Sequence, residues 1–172
     1  HGYMNDIFYA YLIDNSGLNT TPVTTSIGPS VTSFGLGHIK ASPNGQYLSA
    51  AYAWDAEAFI CEFDNTTGQL SNYLDLPLTT LFPFPLGNEF SPSSNRLYIM
   101  DFGEVYQFDL TVPYTDIPTT KTLVSQGSQV SGSFQLGPDC KIYMPEGLSL
   151  SVINKPDEIG VACDFQPNQF AL

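Results

Sequence analysis

The sequence is short of positive charge. Its 172 residues include 5 Lys plus Arg against 17 Asp plus Glu, a formal net charge of −12. Five cations cannot neutralise a run of phosphates, which argues against a nucleic-acid role. An anionic membrane surface would repel the chain for the same reason. Charged residues of either sign make up only 13% of the chain, roughly half the usual share. No apolar run approaches the roughly 18 to 20 residues that span a bilayer, so membrane insertion is not expected. The opening His1-Gly2-Tyr3-Met4-Asn5-Asp6 is neither basic nor apolar and lacks an initiator Met. It reads as the start of a mature product or of a fragment rather than as a signal peptide.

Catalytic and metal-ligating residues are also scarce. There are two histidines, His1 and His38, and no Gly-x-Ser-x-Gly, so no hydrolytic constellation stands out. His1 is expected to be solvated and His38 to be structural. Three cysteines, Cys61, Cys140 and Cys163, contain no Cys-x-x-Cys. They are too scattered for zinc and allow one disulfide with a thiol left over. Asp64-Asn65-Thr66-Thr67-Gly68 opens like a calcium loop but lacks the later carboxylate such a loop needs. No cofactor and no metal are implied.

What is present is apolar and aromatic material with many breaks. Apolar residues are 42% of the chain, enough for a core. Aromatics are 13%, and 14 Gly with 13 Pro point to short strands and turns.

Two motifs recur in phase. Ser42-Pro43-Asn44-Gly45-Gln46-Tyr47-Leu48 returns as Ser91-Pro92-Ser93-Ser94-Asn95-Arg96-Leu97-Tyr98 and as Gly137-Pro138-Asp139-Cys140-Lys141-Ile142-Tyr143. The prolines are 49 and 46 residues apart. Phe63-Asp64 returns as Phe108-Asp109 and, more loosely, as Ile153-Asn154, with an early copy at Ile13-Asp14. Positions 14, 64, 109 and 154 are separated by 50, 45 and 45 residues.

Each unit reads as four strands, a to d. Strand a ends at the Ser-Pro turn, because proline cannot donate to a ladder. Strands b and c follow, and c ends in the Asp-Asn-x-x-Gly type turn that leads to d. Four antiparallel strands at a period near 45 residues specify a propeller blade. The expected fold is therefore all-β, a partial β-propeller of about three and a half blades. Residues 1–35 form a half blade holding strand c at 7–13 and strand d near 23–27. Whole blades cover 36–80, 81–127 and 128–172. An unclosed ring leaves strand edges bare, so flanking sequence or another chain is expected to supply the remaining blades. An ordinary β-sandwich is the competing architecture.

Several of these segments resemble propeller repeats of large secreted and surface proteins of Bacteroidetes, which often carry gliding-motility or type IX secretion sorting domains. The resemblance runs over roughly residues 36–165. It is carried by Leu36–Gly45, by Glu89–Pro92 with Arg96–Tyr98, by Gln135–Tyr143, and by Val152–Asp157 with Gly160 and Cys163–Phe165. The Gly-Pro-Asp-Cys-Lys-Ile-Tyr segment with Ile-Asn-Lys-Pro is its most specific part. It implies an exported, multidomain protein at the cell surface or outside the cell, with no catalytic residues to carry over.

The b–c turns offer the one candidate site. From Leu48 to Phe63 is 15 residues, against 11 from Leu97 to Phe108 and from Ile142 to Ile153. About four extra residues are thus expected in the first turn, which holds Trp54, Asp55 and Glu57. Because b–c and d–a loops emerge on one face of a propeller, Phe84, Asp101, Glu104 and Glu146 are expected on the same rim. Carboxylates beside exposed aromatics suit a glycan or protein partner, or a cation. The leading expectation is a non-enzymatic scaffold or binding module. A glycan- or peptide-cleaving enzyme completed by missing blades is the alternative, and a structural unit of a larger assembly is a third. Cys140 and Cys163, 23 residues apart in one blade, are expected to form a disulfide, and Cys61 a buried thiol.

Overall fold

The computed structural model describes residues 1–2, 4–32, 36–78, 83–126 and 133–172. The expected unit boundaries at 80–81 and 127–128 lie outside the described residues. The chain opens with β1 (Ile7–Ala10), a small hairpin of β2 (Ile13–Asp14) and β3 (Gly17–Leu18), and β4 (Val23–Ser26). β1 pairs antiparallel with β4. The strand expected over 7–13 therefore ends at Ala10, and the chain turns out into the β2–β3 hairpin before returning.

Three four-stranded antiparallel sheets follow, each in simple a-b-c-d order. Blade 1 is β5 (Gly37–Ala41), β6 (Tyr47–Tyr52), β7 (Glu57–Asp64) and β8 (Gln69–Asp75). Blade 2 is β9 (Pro85–Phe90), β10 (Arg96–Asp101), β11 (Glu104–Asp109) and β12 (Thr122–Ser125). Blade 3 is β13 (Gln135–Leu136), β14 (Ile142–Glu146), β15 (Ser149–Ile153) and β16 (Phe165–Ala171). The fold is all-β, a partial propeller of four-stranded blades. Short 3-10 turns at Tyr114–Thr120 and Gly160–Cys163 are inserted between strands c and d of blades 2 and 3.

The repeated motifs fold alike because they solve the same local problem. In the a–b turns, Ser42 Oγ accepts from the Tyr47 N–H at 2.9 Å, and Ser91 Oγ accepts from the Arg96 N–H at 3.1 Å. The fourth turn residue is left-handed in all three: Gly45 at φ 70°, Ser94 at 61° and Cys140 at 63°. In the c–d turns, one carboxylate oxygen takes both the N–H and the hydroxyl two residues on. Asp14 holds Ser16 in this way, Asp64 holds Thr66, and Asp109 holds Thr111. Such turns form without help from distant contacts, which is why they mark the period so clearly.

Alternation along the strands then builds the core between blades. Ala58, Ile60, Phe90, Leu97, Ile99 and Phe108 pack between blades 1 and 2. Tyr98, Met100, Val105, Phe134, Ile142 and Met144 pack between blades 2 and 3. A buried polar link joins the latter pair. Gln107 Nε2 donates to Tyr98 Oη at 2.7 Å, Tyr98 Oη donates to Pro156 O at 2.8 Å, and Gly160 N donates to Gln107 Oε1 at 2.8 Å.

That link corrects the cysteine expectation. All three cysteines are free: Cys61 and Cys163 are buried and Cys140 is exposed. Cys163 does not lie in the last strand. It ends the 3-10 turn that packs under Tyr98, with its side chain in the core between blades 2 and 3. Cys140 sits in the solvent-facing a–b turn, so the bridge between Cys140 and Cys163 is not formed. His1 is also corrected. It is half-buried, with its ring 4.4 Å from Phe8 and 5.4 Å from Tyr52, rather than solvated.

Candidate functional site

The b–c turns are built differently in the three blades. In blade 2, Asp101 faces Glu104 across a two-residue turn, and in blade 3 Glu146 faces Ser149. In blade 1, Tyr52 faces Glu57, so four residues, Ala53 to Ala56, make the turn. The insertion is two residues, not four, because Leu48 pairs with Cys61 rather than with Phe63. Strand c of blade 1 is longer at its far end instead, and Glu57 begins that strand.

The longer turn lifts Trp54 into solvent, 60% exposed. Its indole meets the Phe84 ring edge-on, with centroids 5.1 Å apart and planes at 88°, a favoured aromatic geometry. Phe84 is fixed in turn from blade 2: its N–H donates to Asp101 Oδ1 at 2.6 Å, and its carbonyl accepts from the Phe102 N–H at 3.4 Å. Trp54, Phe84 and Asp101 thus form one contiguous cluster bridging blades 1 and 2. Phe102, which the sequence reading did not single out, stands beside them, 57% exposed. Its φ is 46° and that of Gly103 is 84°, the two left-handed positions of a tight hairpin turn. A bulky ring in that conformation is locally strained.

The carboxylates are more committed than the sequence suggests. Asp101 is fully buried. Asp55 Oδ1 accepts from both the N–H and the hydroxyl of Thr32, at 3.0 and 2.8 Å. These acids tie the loop entering each blade to that blade's own b–c turn. Glu104 accepts from the Tyr106 hydroxyl, and the Lys121 ammonium lies 3.8 Å from the centre of the Tyr106 ring. Burial pulls Lys121 below its ordinary range, while Asp101 and Glu104 act to raise it. Glu146 is buried and accepts from the Ser151 hydroxyl. It belongs to the blade 3 turn. Glu57 is held above the usual carboxylate range by burial, then by the charges of Asp75 and Asp55.

Leu148 at the tip of the blade 3 turn is 84% exposed. Each of the three b–c turns therefore carries one large apolar residue in solvent. A turn tip next to glycine, as in Phe102-Gly103 and Gly147-Leu148, was the available sequence signal for the second and third.

The channel side of the blades holds a second polar grouping. Lys40, Glu89 and Gln135 occupy equivalent positions in β5, β9 and β13, two residues before each a–b turn. Lys40 Nζ lies 2.8 Å from Glu89 Oε2 and 3.2 Å from Gln135 Oε1. Nearby His38 lies in β5, its imidazole held below the ordinary value by burial and then by Lys40.

No family model matches the chain, and no curated protein matches it. Solved structures do share its fold. A candidate 6-phosphogluconolactonase from Bacteroides uniformis is similar over 96% of this chain and 48% of its own, with a TM-score of 0.66 at 14% identity. A protein from Lactobacillus plantarum is similar over 97% of this chain and 49% of its own, with a TM-score of 0.61 at 17% identity. The periplasmic gluconolactonase of Pseudomonas aeruginosa is similar over 90% and 46%, with a TM-score of 0.56 at 14% identity. The chain spans about half the length of these structures. At such identities the likeness is one of fold.

Proposed function

We propose that this chain is a non-enzymatic binding module of an exported protein, and that its b–c rim takes a carbohydrate partner through Trp54. The observation that carries the reading is the exposed Trp54 indole, braced by Phe84, which Asp101 anchors. An apolar ring left in water on a loop gains nothing from folding alone, so an exposed, braced ring favours a partner. Sugars stack their C–H faces on such rings. Asp55 and Glu57 of the same turn supply acceptors for hydroxyl groups. The committed state of Asp101 and Glu146 supports binding over hydrolysis, since a glycan- or peptide-cleaving site needs available paired carboxylates. Export is favoured by the likeness of fold to a periplasmic protein of Pseudomonas aeruginosa; a cell-surface, gliding or type IX secretion setting is what the resemblance of the Gln135–Tyr143 and Val152–Asp157 segments implies.

Trp54 is the only tryptophan, so its fluorescence reports on the rim directly. Titration with neutral hexose oligosaccharides is expected to blue-shift the emission. Trp54→Ala is expected to abolish binding, read by calorimetry, with the melting temperature nearly unchanged. No response to any neutral oligosaccharide would overturn the carbohydrate reading. A response to basic peptides instead would make the partner a protein, and a fallen melting temperature would make Trp54 structural.

A further inference from the structure

Blades 1 and 2 are built from the same repeat, yet equivalent residues on their leading faces are buried to very different extents. In blade 2, Asn88, Phe90 and Leu97 are each 0% exposed. Their counterparts in blade 1, counted from the Ser-Pro turn, are Ile39, Ala41 and Leu48. Ile39 is 40% exposed, Ala41 is exposed and Leu48 half-buried. The cause is visible in the packing. Strands β5 and β6, the a and b strands of blade 1, lie against β9 and cover the blade 2 residues. The half blade preceding blade 1 consists of β1 and β4, in the c and d positions. Its outer strands cover Phe59, Cys61 and Leu70, and the inner part of the same face stays bare. A groove of about 270 Å³ opens there, lined by Phe8, Tyr9, Ala41, Leu48, Phe63 and Leu70 among others.

The backbone gives the direction of approach. On the β4 side, Asp6 O accepts from the Ile27 N–H at 3.0 Å. Antiparallel alternation therefore aims the N–H and C=O of Ile7 and Tyr9 the other way. Ile7 is already served on that side: its N–H donates to Asn5 Oδ1 at 2.9 Å, and its carbonyl accepts from the Gly2 N–H at 2.7 Å. Gly2 and Ile7 are five residues apart, the separation of Tyr52 and Glu57, which face each other across the b–c turn of blade 1. Gly2 thus stands where the last rung of a b strand stands, and among the described residues Tyr9 offers the next free rung.

We propose that a β-hairpin of this same repeat, the a and b strands of a further blade, pairs along β1 in line with His1–Gly2 and covers Ile39, Ala41 and Leu48. The occupant is defined by chemistry: two short strands with alternate apolar residues, joined by a Ser-Pro type turn. A second copy of the chain does not fit, because among the described residues every a and b strand is already used in its own four-stranded sheet. The solved propellers of similar fold are about twice as long as this chain, which is consistent with further blades. The inference is independent of the rim reading and stands or falls separately.

The test places a copy of residues 36–50, the a–b hairpin of blade 1, directly before His1, which aligns with Ala51. Hydrogen exchange at the Tyr9 amide is expected to slow at least tenfold, and the melting temperature to rise by several degrees. A control extension with one serine inserted before His1 slips the register and turns the apolar side chains away, so the gain is expected to vanish. Ile39→Asp is expected to lower the melting temperature of the extended chain and leave that of the parent nearly unchanged. If Tyr9 exchange is unaltered, or both extensions stabilise equally, the proposal is wrong.

Discussion

Lys40 and Glu89 meet at 2.8 Å although 49 residues separate them, because each holds the same position in the innermost strand of its blade. The Glu89 carboxylate also accepts from the Leu136 N–H at 3.0 Å, so one buried acid links three consecutive blades. A buried acid that loses its cation keeps its desolvation cost without the compensating charge.

Lys40→Met is therefore expected to destabilise the chain by about 1–3 kcal/mol in urea unfolding. Glu89→Gln added to it should recover part of that loss by removing the orphaned charge. Full additivity of the two changes would mean that the pair does not act as a unit.

Asn88 is fully buried, and neither its side-chain oxygen nor its nitrogen has a hydrogen-bond partner among the described residues. The equivalent residues are Ile39 in blade 1 and Phe134 in blade 3, so the position accepts apolar side chains. An unpaired buried amide costs about 1–3 kcal/mol. Asn88→Leu is expected to raise the melting temperature by a few degrees, read by calorimetry. A fall would reveal a polar partner for Asn88.

Asp64 is held down at about 2 by the Thr66 hydroxyl and N–H and the Thr67 hydroxyl. Its folded value lies below the unfolded one, so its contribution to stability is complete above the unfolded value near 3.9 and disappears as pH falls from there through about 2. Carboxyl NMR titration should place Asp64 well below the ordinary aspartates. Thr66→Val should move its midpoint upward. A midpoint that stays put in the variant would mean that the turn does not control it.

The thiols should separate by location. Burial pushes the Cys61 thiol up to about 12 and also raises Cys163, while Cys140 is exposed. A thiolate-directed reagent at pH 8 is expected to modify one thiol per native chain, and Cys140→Ser to remove that reaction. Reaction at all three is expected only after unfolding. Mass spectrometry showing a Cys140–Cys163 bridge in the native chain would contradict the structure.

The sequence by itself determined the elements that depend on neighbours along the chain. The Ser-Pro and Asp-x-Thr turns close on their own side chains, so they announced the period, the strand order and the half blade at the start. It also placed Trp54, Phe84 and Asp101 at loops expected to converge. What it left open was decided between blades. Asp101 and Glu146 look like rim acids in the chain but are buried by packing, and Cys163 turns away from Cys140 because Tyr98 and Gln107 of the preceding blade draw its segment inward. The bare face around Ile39 follows from the same cause. Local hydrogen bonds fix a turn wherever it occurs, whereas burial depends on which surface arrives from elsewhere in the fold.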